Sequence, residues 1–192
     1  MSMNGRISLV TGNGKGKTTT ALGYALRTLS QGGRVTMIQF LKGGGYSGEL
    51  FTEGFFDGRF VIRQFGAGCP ISDAIRDGKA LCNKCGACFR GNRDPTRKFA
   101  SEAWQFFLQS AVRDNPPELI ILDELAHAVR RGLLPENEVV EQLNSLPDNV
   151  RIIMTGRNAP ASLAALADET VECQAVKHPM ERGIAARWGI EY

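Results

Sequence analysis

No run of apolar residues in this chain is long enough to cross a bilayer, and residues 1–7 are polar before they enter a strand-like segment. The expectation is therefore a chain without a leader or membrane span, located in the cytoplasm. The net charge is only +3, too small by itself to gather nucleic acid. There are just two histidines, His127 and His178. Hydrophobic residues make up 43% and charged residues 22% of 192, the balance of an ordinary globular protein, which argues against a fibrous or disordered class. That length suits one domain, read as spanning residues 1–192.

Charge and cysteine are unevenly spread. Residues 66–98 hold seven Lys or Arg against Asp73, Asp77 and Asp94, a local +4. Four of the five cysteines fall in the same stretch, where regular periodicity fails. Residues 66–93 are therefore read as a cysteine-rich insertion. In a reducing cytoplasm such clustering points to metal ligands or redox groups rather than disulfides.

Elsewhere the pattern alternates. Residues 6–10 (RISLV) form a β-branched run that stops at a glycine-rich turn, and residues 17–29 read as a helix ended by Gly32-Gly33. Strands follow at 34–39 and 60–64, separated by a glycine-rich stretch at 41–58 read as a mobile loop. Asp94-Pro95 opens a helix to about residue 114. The run LIILD at 119–123 has the continuous apolar character of a strand buried on both faces. A helix at 135–146, a strand at 150–155, a helix at 160–167 and a strand at 170–174 complete the chain. Such alternation predicts an α/β fold with a mostly parallel sheet and helices on both faces.

The stretch Thr11-Gly12-Asn13-Gly14-Lys15-Gly16-Lys17-Thr18-Thr19 lies between the first strand and the first helix. Glycines let backbone N–H groups turn inward around an anion, Lys17 brings a point charge, and the helix start adds its positive dipole end. Thr18 offers a hydroxyl to Mg²⁺. Asp123 and Glu124, at the end of LIILD, are the acids expected to complete that ion's site. The general phosphate-loop pattern has glycine at position 11, where this chain has Thr11. These features predict a P-loop, RecA-like nucleotide fold binding ATP with Mg²⁺.

Beyond a generic phosphate loop, the segments TGNGKGKTTTALGYALR, VTMIQFLKG, LIILDELAHAVRRGLL, IIMTGR and VKHPMERGIAARWGIEY occur in that order. Together they resemble the ATP:corrinoid adenosyltransferases of cobalamin synthesis and salvage, and they span nearly the whole chain. The resemblance implies attack of a Co(I) corrinoid on C5′ of ATP, with triphosphate expelled. It gives the loop from Gly12 to Thr19 the triphosphate, makes Lys17, Thr18 and Glu124 catalytic, and gives Mg²⁺ to Thr18, Asp123 and Glu124. Lys42 and Arg157 become contacts to nucleotide or corrinoid. Co(I) carries no proton, so neither histidine need act as a base. The family also implies a homodimer and, for the Co(I) state, a reductase as partner.

Many members carry a Phe-x-Trp pair after the third strand, whereas this chain reads Phe65-Gly66-Ala67-Gly68-Cys69-Pro70. The tryptophan is missing, and the same stretch carries Cys69, followed by Cys82, Cys85 and Cys88, the last three at three-residue spacing. That spacing suits iron–sulfur ligation better than the paired arms of zinc ribbons, with Zn²⁺ the other reading. Cys173 is read as a small core residue. Two rival functions stay open: a P-loop ATPase or phosphotransferase acting at the γ-phosphate, and an ATP- and metal-dependent redox sensor.

Overall fold

The computed structural model describes residues 6–44, 47–77, 79–80 and 93–177. Six strands form one sheet in the order β3-β2-β4-β5-β1-β6: β1 Ile7–Thr11, β2 Val35–Phe40, β3 Phe60–Phe65, β4 Leu119–Asp123, β5 Arg151–Thr155 and β6 Glu169–Glu172. All five strand pairings are parallel. The α/β, P-loop-like expectation is borne out, and each expected strand falls within two residues of its predicted place.

The sheet is parallel because helices return the chain to its starting edge. Around it lie α1 Lys17–Ser30, α2 Ser72–Arg76, α3 Arg93–Val112, α4 Leu125–Arg130, α5 Glu136–Asn144 and α6 Ala161–Leu166. Among these described residues no helix is long and apolar enough to cross a membrane.

Strand residues alternate between two cores. Ile38, Phe40, Ile120 and Leu122 point to one face, with Trp104 and Phe107 of α3, Leu125 of α4 and Leu143 of α5. Val35, Met37, Leu119 and Ile121 point to the other, against Ala21, Ala25 and Leu29 of α1. A strand packed on both sides needs apolar side chains at every position, which is why VTMIQF and LIILD show no polar alternation. Gln39 and Asp123 break that rule while fully buried. Both stand at carboxyl strand ends.

Besides the added helix α4, two segments read as lacking regular structure differ from expectation. Within the glycine-rich stretch, residues Gly48–Phe55 form a 3-10 helix packed on β3. Within the cysteine-rich stretch, α2 makes a short turn started by the Ser72 N–H donating to the Cys69 carbonyl at 3.0 Å. Both are too short to imprint a 3.6-residue period.

The order of strands places the site. β5 lies between β1 and β4, so the chain leaving β1 crosses two strands before it pairs again as β2. In open parallel sheets ligands collect beyond the carboxyl ends at such a change of direction. The phosphate loop and Asp123 both stand there.

Candidate nucleotide and metal site

The phosphate loop departs from β1 directly. Thr11 is still a strand residue, and Gly12 makes the first turn with φ 98°, followed by Gly16 at φ 106°. Thr11 itself ties the loop's base to the end of β5, its hydroxyl donating to the Gly156 carbonyl at 2.9 Å. The left-handed turn thus falls one residue later than the general pattern would put its glycine, at Gly12.

Lys17 is buried in the first turn of α1, and its ammonium donates to the Gly12 carbonyl at 2.9 Å and the Gly14 carbonyl at 2.7 Å. Burial, and then the charge of Arg157, hold its pKa below the ordinary lysine value, although Glu124 and Asp123 pull the other way. Arg157, exposed at the end of β5, therefore belongs electrostatically to the loop. Asn13, Lys15 and Thr19 lie on the exposed side of the same turn. The Gly14 N–H donates to the Cys173 carbonyl at 2.7 Å, so the chain just beyond β6 backs the loop.

Asp123 is the centre of the polar cluster and has no exposed surface. Its Oδ1 accepts the hydroxyls of Thr18 at 3.0 Å and Thr155 at 2.7 Å. Its Oδ2 accepts the Lys42 ammonium at 2.7 Å and the Gln39 amide at 3.1 Å. Burial alone would raise this carboxyl, but the Lys42 charge and these hydrogen bonds outweigh it and hold the pKa below the usual carboxylate value. Lys42 responds in kind. Burial would lower it, yet Asp123 and then Glu49 raise it above its ordinary value.

Glu124 follows in the left-handed region, with φ 64°, a conformation that a non-glycine residue holds only when its surroundings impose it. What imposes it is Thr155, whose hydroxyl accepts the Glu124 N–H at 3.0 Å. The Glu124 carboxylate stays half-buried and meets His127 Nδ1 at 3.4 Å. His127 sits on α4 with its neighbours Ala126 and Ala128 buried.

The oxygen donors fit a hard divalent cation. Thr18 spends its hydrogen on Asp123 and so keeps lone pairs for an ion, and the half-buried Glu124 carboxylate is one residue along. Lys17, Thr18, Asp123, Glu124, Lys42 and Arg157 are thus gathered at one edge. Sequence reasoning missed Gln39 and Glu49, and it named Thr155 only as part of a motif. Gln39 was open to detection as the one amide inside an apolar strand run.

Cys69 is half-buried, and its backbone packs on Gly44. Cys82, Cys85, Cys88 and His178 lie outside the described residues. Among the described residues no group of three or more His, Cys, Asp or Glu is placed to hold a metal ion.

Comparison with known proteins gives this geometry a family. A model of the family described as ATP:corrinoid adenosyltransferase BtuR/CobO/CobP matches residues 3–192. The chain is 32% identical over 188 residues to the corrinoid adenosyltransferase of Escherichia coli (strain K12), covering 98% of this chain and 86% of that protein. Corrinoid adenosyltransferase CobA of Salmonella typhimurium (strain LT2) is 31% identical over 188 residues, with the same coverage of 98% and 86%. A corrinoid adenosyltransferase of Sinorhizobium sp is 30% identical over 189 residues, covering 98% of this chain and 80% of that protein. With its phosphate loop, strand-end acids and whole-length match, this chain belongs to the ATP:corrinoid adenosyltransferase family.

Proposed function

We propose that the chain transfers the 5′-deoxyadenosyl group of ATP to the Co(I) centre of a corrinoid and releases triphosphate. The observation that carries this reading is a phosphate loop whose Thr18 is anchored to a buried strand-end carboxylate, in a chain that matches the family over residues 3–192. The Co(I) electron pair forms the Co–C bond, the C5′–O bond breaks, and its electrons leave with the triphosphate. Cobalt ends as Co(III). No proton is removed from the nucleophile, in keeping with a site whose one described histidine is occupied with Glu124.

The chain's own task is to hold the leaving group. Loop amides and the start of α1 present partial positive charge to the phosphates, and Lys17 can exchange its loop carbonyls for phosphate oxygens. Arg157, whose charge already acts on Lys17, would add a second cation from the exposed side. Thr18 and Glu124 would hold Mg²⁺ directly, with Asp123 acting through Thr18, because all four acceptor positions of its carboxylate are already taken. Bound there, Mg²⁺ would neutralise charge on the departing triphosphate.

The same reading extends to the assembly. It has a homodimer, a cytoplasmic location suited to reduced thiols, and a reductase or cluster delivering the electron that makes Co(I). Cys69, Cys82, Cys85 and Cys88 are the ligands proposed for an iron–sulfur cluster or Zn²⁺. Iron with brown colour in anaerobically purified protein selects the cluster, zinc without colour selects the structural ion, and neither metal removes the proposal. Size-exclusion chromatography with light scattering checks the dimer.

The test of the central reaction is anaerobic. Protein mixed with Mg-ATP and a chemically reduced corrinoid should develop a light-sensitive alkylcobalt spectrum and one triphosphate for each corrinoid consumed. ADP and phosphate in their place would turn the assignment to γ-phosphate chemistry.

A further inference from the structure

Lys42 reaches its place through an unusual backbone. Leu41, buried at the end of β2, has φ 61°, and its N–H donates to the Phe65 carbonyl at 2.9 Å. A left-handed leucine is costly, and such strain persists where the surroundings require it. Here it follows immediately after β2 and precedes a lysine whose ammonium lies over the end of the neighbouring strand β4. Lys42 Nζ then stands between two carboxylates, 2.7 Å from Asp123 Oδ2 and 3.3 Å from Glu49 Oε1.

A second bridge joins the same two acids. Gln39 Nε2 donates to Glu49 Oε1 at 2.7 Å and to Asp123 Oδ2 at 3.1 Å. Its orientation is not free, because Gln39 Oε1 accepts the Gln64 amide at 2.8 Å from β3. The amide nitrogen must therefore face the acids. Two carboxylates share one ammonium and one amide, a set that stays anionic overall, and among the described residues no buried side-chain polar atom is left unsatisfied.

On the reading that Thr18 holds Mg²⁺, we infer that Glu49 and Lys42 are positioning residues for that ion. They fix Asp123 from behind, so that the Thr18 hydroxyl gives its hydrogen to Asp123 and turns its lone pairs outward. Neither touches the cation. Groups at this remove orient the direct ligands, and their loss typically lowers metal affinity by about 10- to 100-fold. Glu49 lies on the 3-10 helix Gly48–Phe55, so the inference also ties the stretch between β2 and β3 to metal binding.

The experiment measures ATP affinity of the full chain by calorimetry in EDTA and across a series of free Mg²⁺ concentrations, with thermal melting as the check on folding. Lys42→Met should raise the Mg²⁺ midpoint by roughly tenfold or more, and Glu49→Gln should raise it by several-fold while its ATP affinity in EDTA stays at the wild-type value. Glu49→Asp, which keeps the charge, should recover part of the shift. Glu49→Gln keeps size and hydrogen-bonding capacity, so it decides the matter alone if Lys42→Met does not fold. Unmoved midpoints in folded variants overturn the inference. So does equal weakening with and without Mg²⁺, which would make Lys42 a phosphate contact, or a lowered midpoint, which would make it a competitor of the ion. A wild-type chain that binds no Mg-ATP overturns the proposed function as well, whereas a normal wild type with unmoved variants overturns only the positioning role.

Discussion

The Thr155 hydroxyl at the end of β5 donates to Asp123 Oδ1 at the end of β4 at 2.7 Å, while accepting the backbone N–H of Glu124. One oxygen thus orients both acids of the site. It holds the first by a hydrogen bond and fixes the second in a left-handed turn, from which the Glu124 carboxylate acts on the Lys17 charge. This is possible because β5 lies beside β4 and ends level with it, Leu122 pairing with Met154.

Thr155→Val keeps the shape and removes that oxygen. The Glu124 N–H is left without its partner while Asp123 Oδ1 keeps only Thr18, and an orphaned buried polar group costs about 1–3 kcal/mol. The unfolding midpoint in urea should fall accordingly, and ATP affinity in Mg²⁺ should fall more than in EDTA. Thr155→Ser retains the hydroxyl and should stay near wild type on both measures.

Lys17→Ala should leave the fold in place and disable the reaction. The side chain's described hydrogen bonds are to loop carbonyls that can turn to solvent, so far-ultraviolet circular dichroism should not change. Removing a positioned charge from the leaving group costs on the order of 10²–10³ in rate, measured as alkylcobalt formation. Lys17→Arg should not restore it, since a planar guanidinium does not fit a position only 6% exposed.

Much of this arrangement was legible in the sequence, for a physical reason. Phosphate binding demands backbone amides, so residues 12–18 advertise themselves through glycine, and a strand buried on both faces advertises itself through an unbroken run such as LIILD. Glu49 had no such signature. It acts through a tertiary bond from a 3-10 helix, whose short length leaves no periodic trace, inside a stretch that its glycines made look like an open loop. Cys173 illustrates a second kind of blindness. Its side chain packs at the margin of one core, but its carbonyl is what receives the Gly14 N–H, and a backbone role leaves nothing in residue identity.

The segment behind the loop makes its glycines unequal. At Gly12 an added Cβ would run into the Cys173 backbone and would also sit at φ 98°, whereas at Gly16, at φ 106°, it would meet nothing. Gly16→Ala should cost only the conformational penalty, about 1–2 kcal/mol. Gly12→Ala should cost more and displace the chain beyond β6, read as a larger drop in melting temperature and loss of ATP binding. Equal losses would mean that residues 173–174 do not back the loop.

Acid stability should report on Asp123 most directly. Its pKa lies below 3.8 in the folded chain, so its stabilisation is complete above that value and disappears as pH falls through the folded pKa. Two other acids shift the same way: Asp168 through the Ile7 and Arg6 N–H groups, and Glu118, below its ordinary 4.5, through Arg34 against an opposing burial effect. The alkaline side is mixed. Lys42, raised above 10.5, loses its contribution as pH climbs past that value, while Lys17, lowered, regains stability as pH approaches it. Unfolding free energy from urea titrations should therefore be flat down to about pH 5 and then fall. Asp123→Asn should start lower by about 3–5 kcal/mol, because it leaves the Lys42 ammonium buried without its closest partner. Its acid limb should also be shallower, since one of the three carboxyls depressed among the described residues has been removed. Parallel limbs in the two proteins would show that Asp123 is not held as a carboxylate by Lys42, and the arrangement of the site around that pair would have to be abandoned.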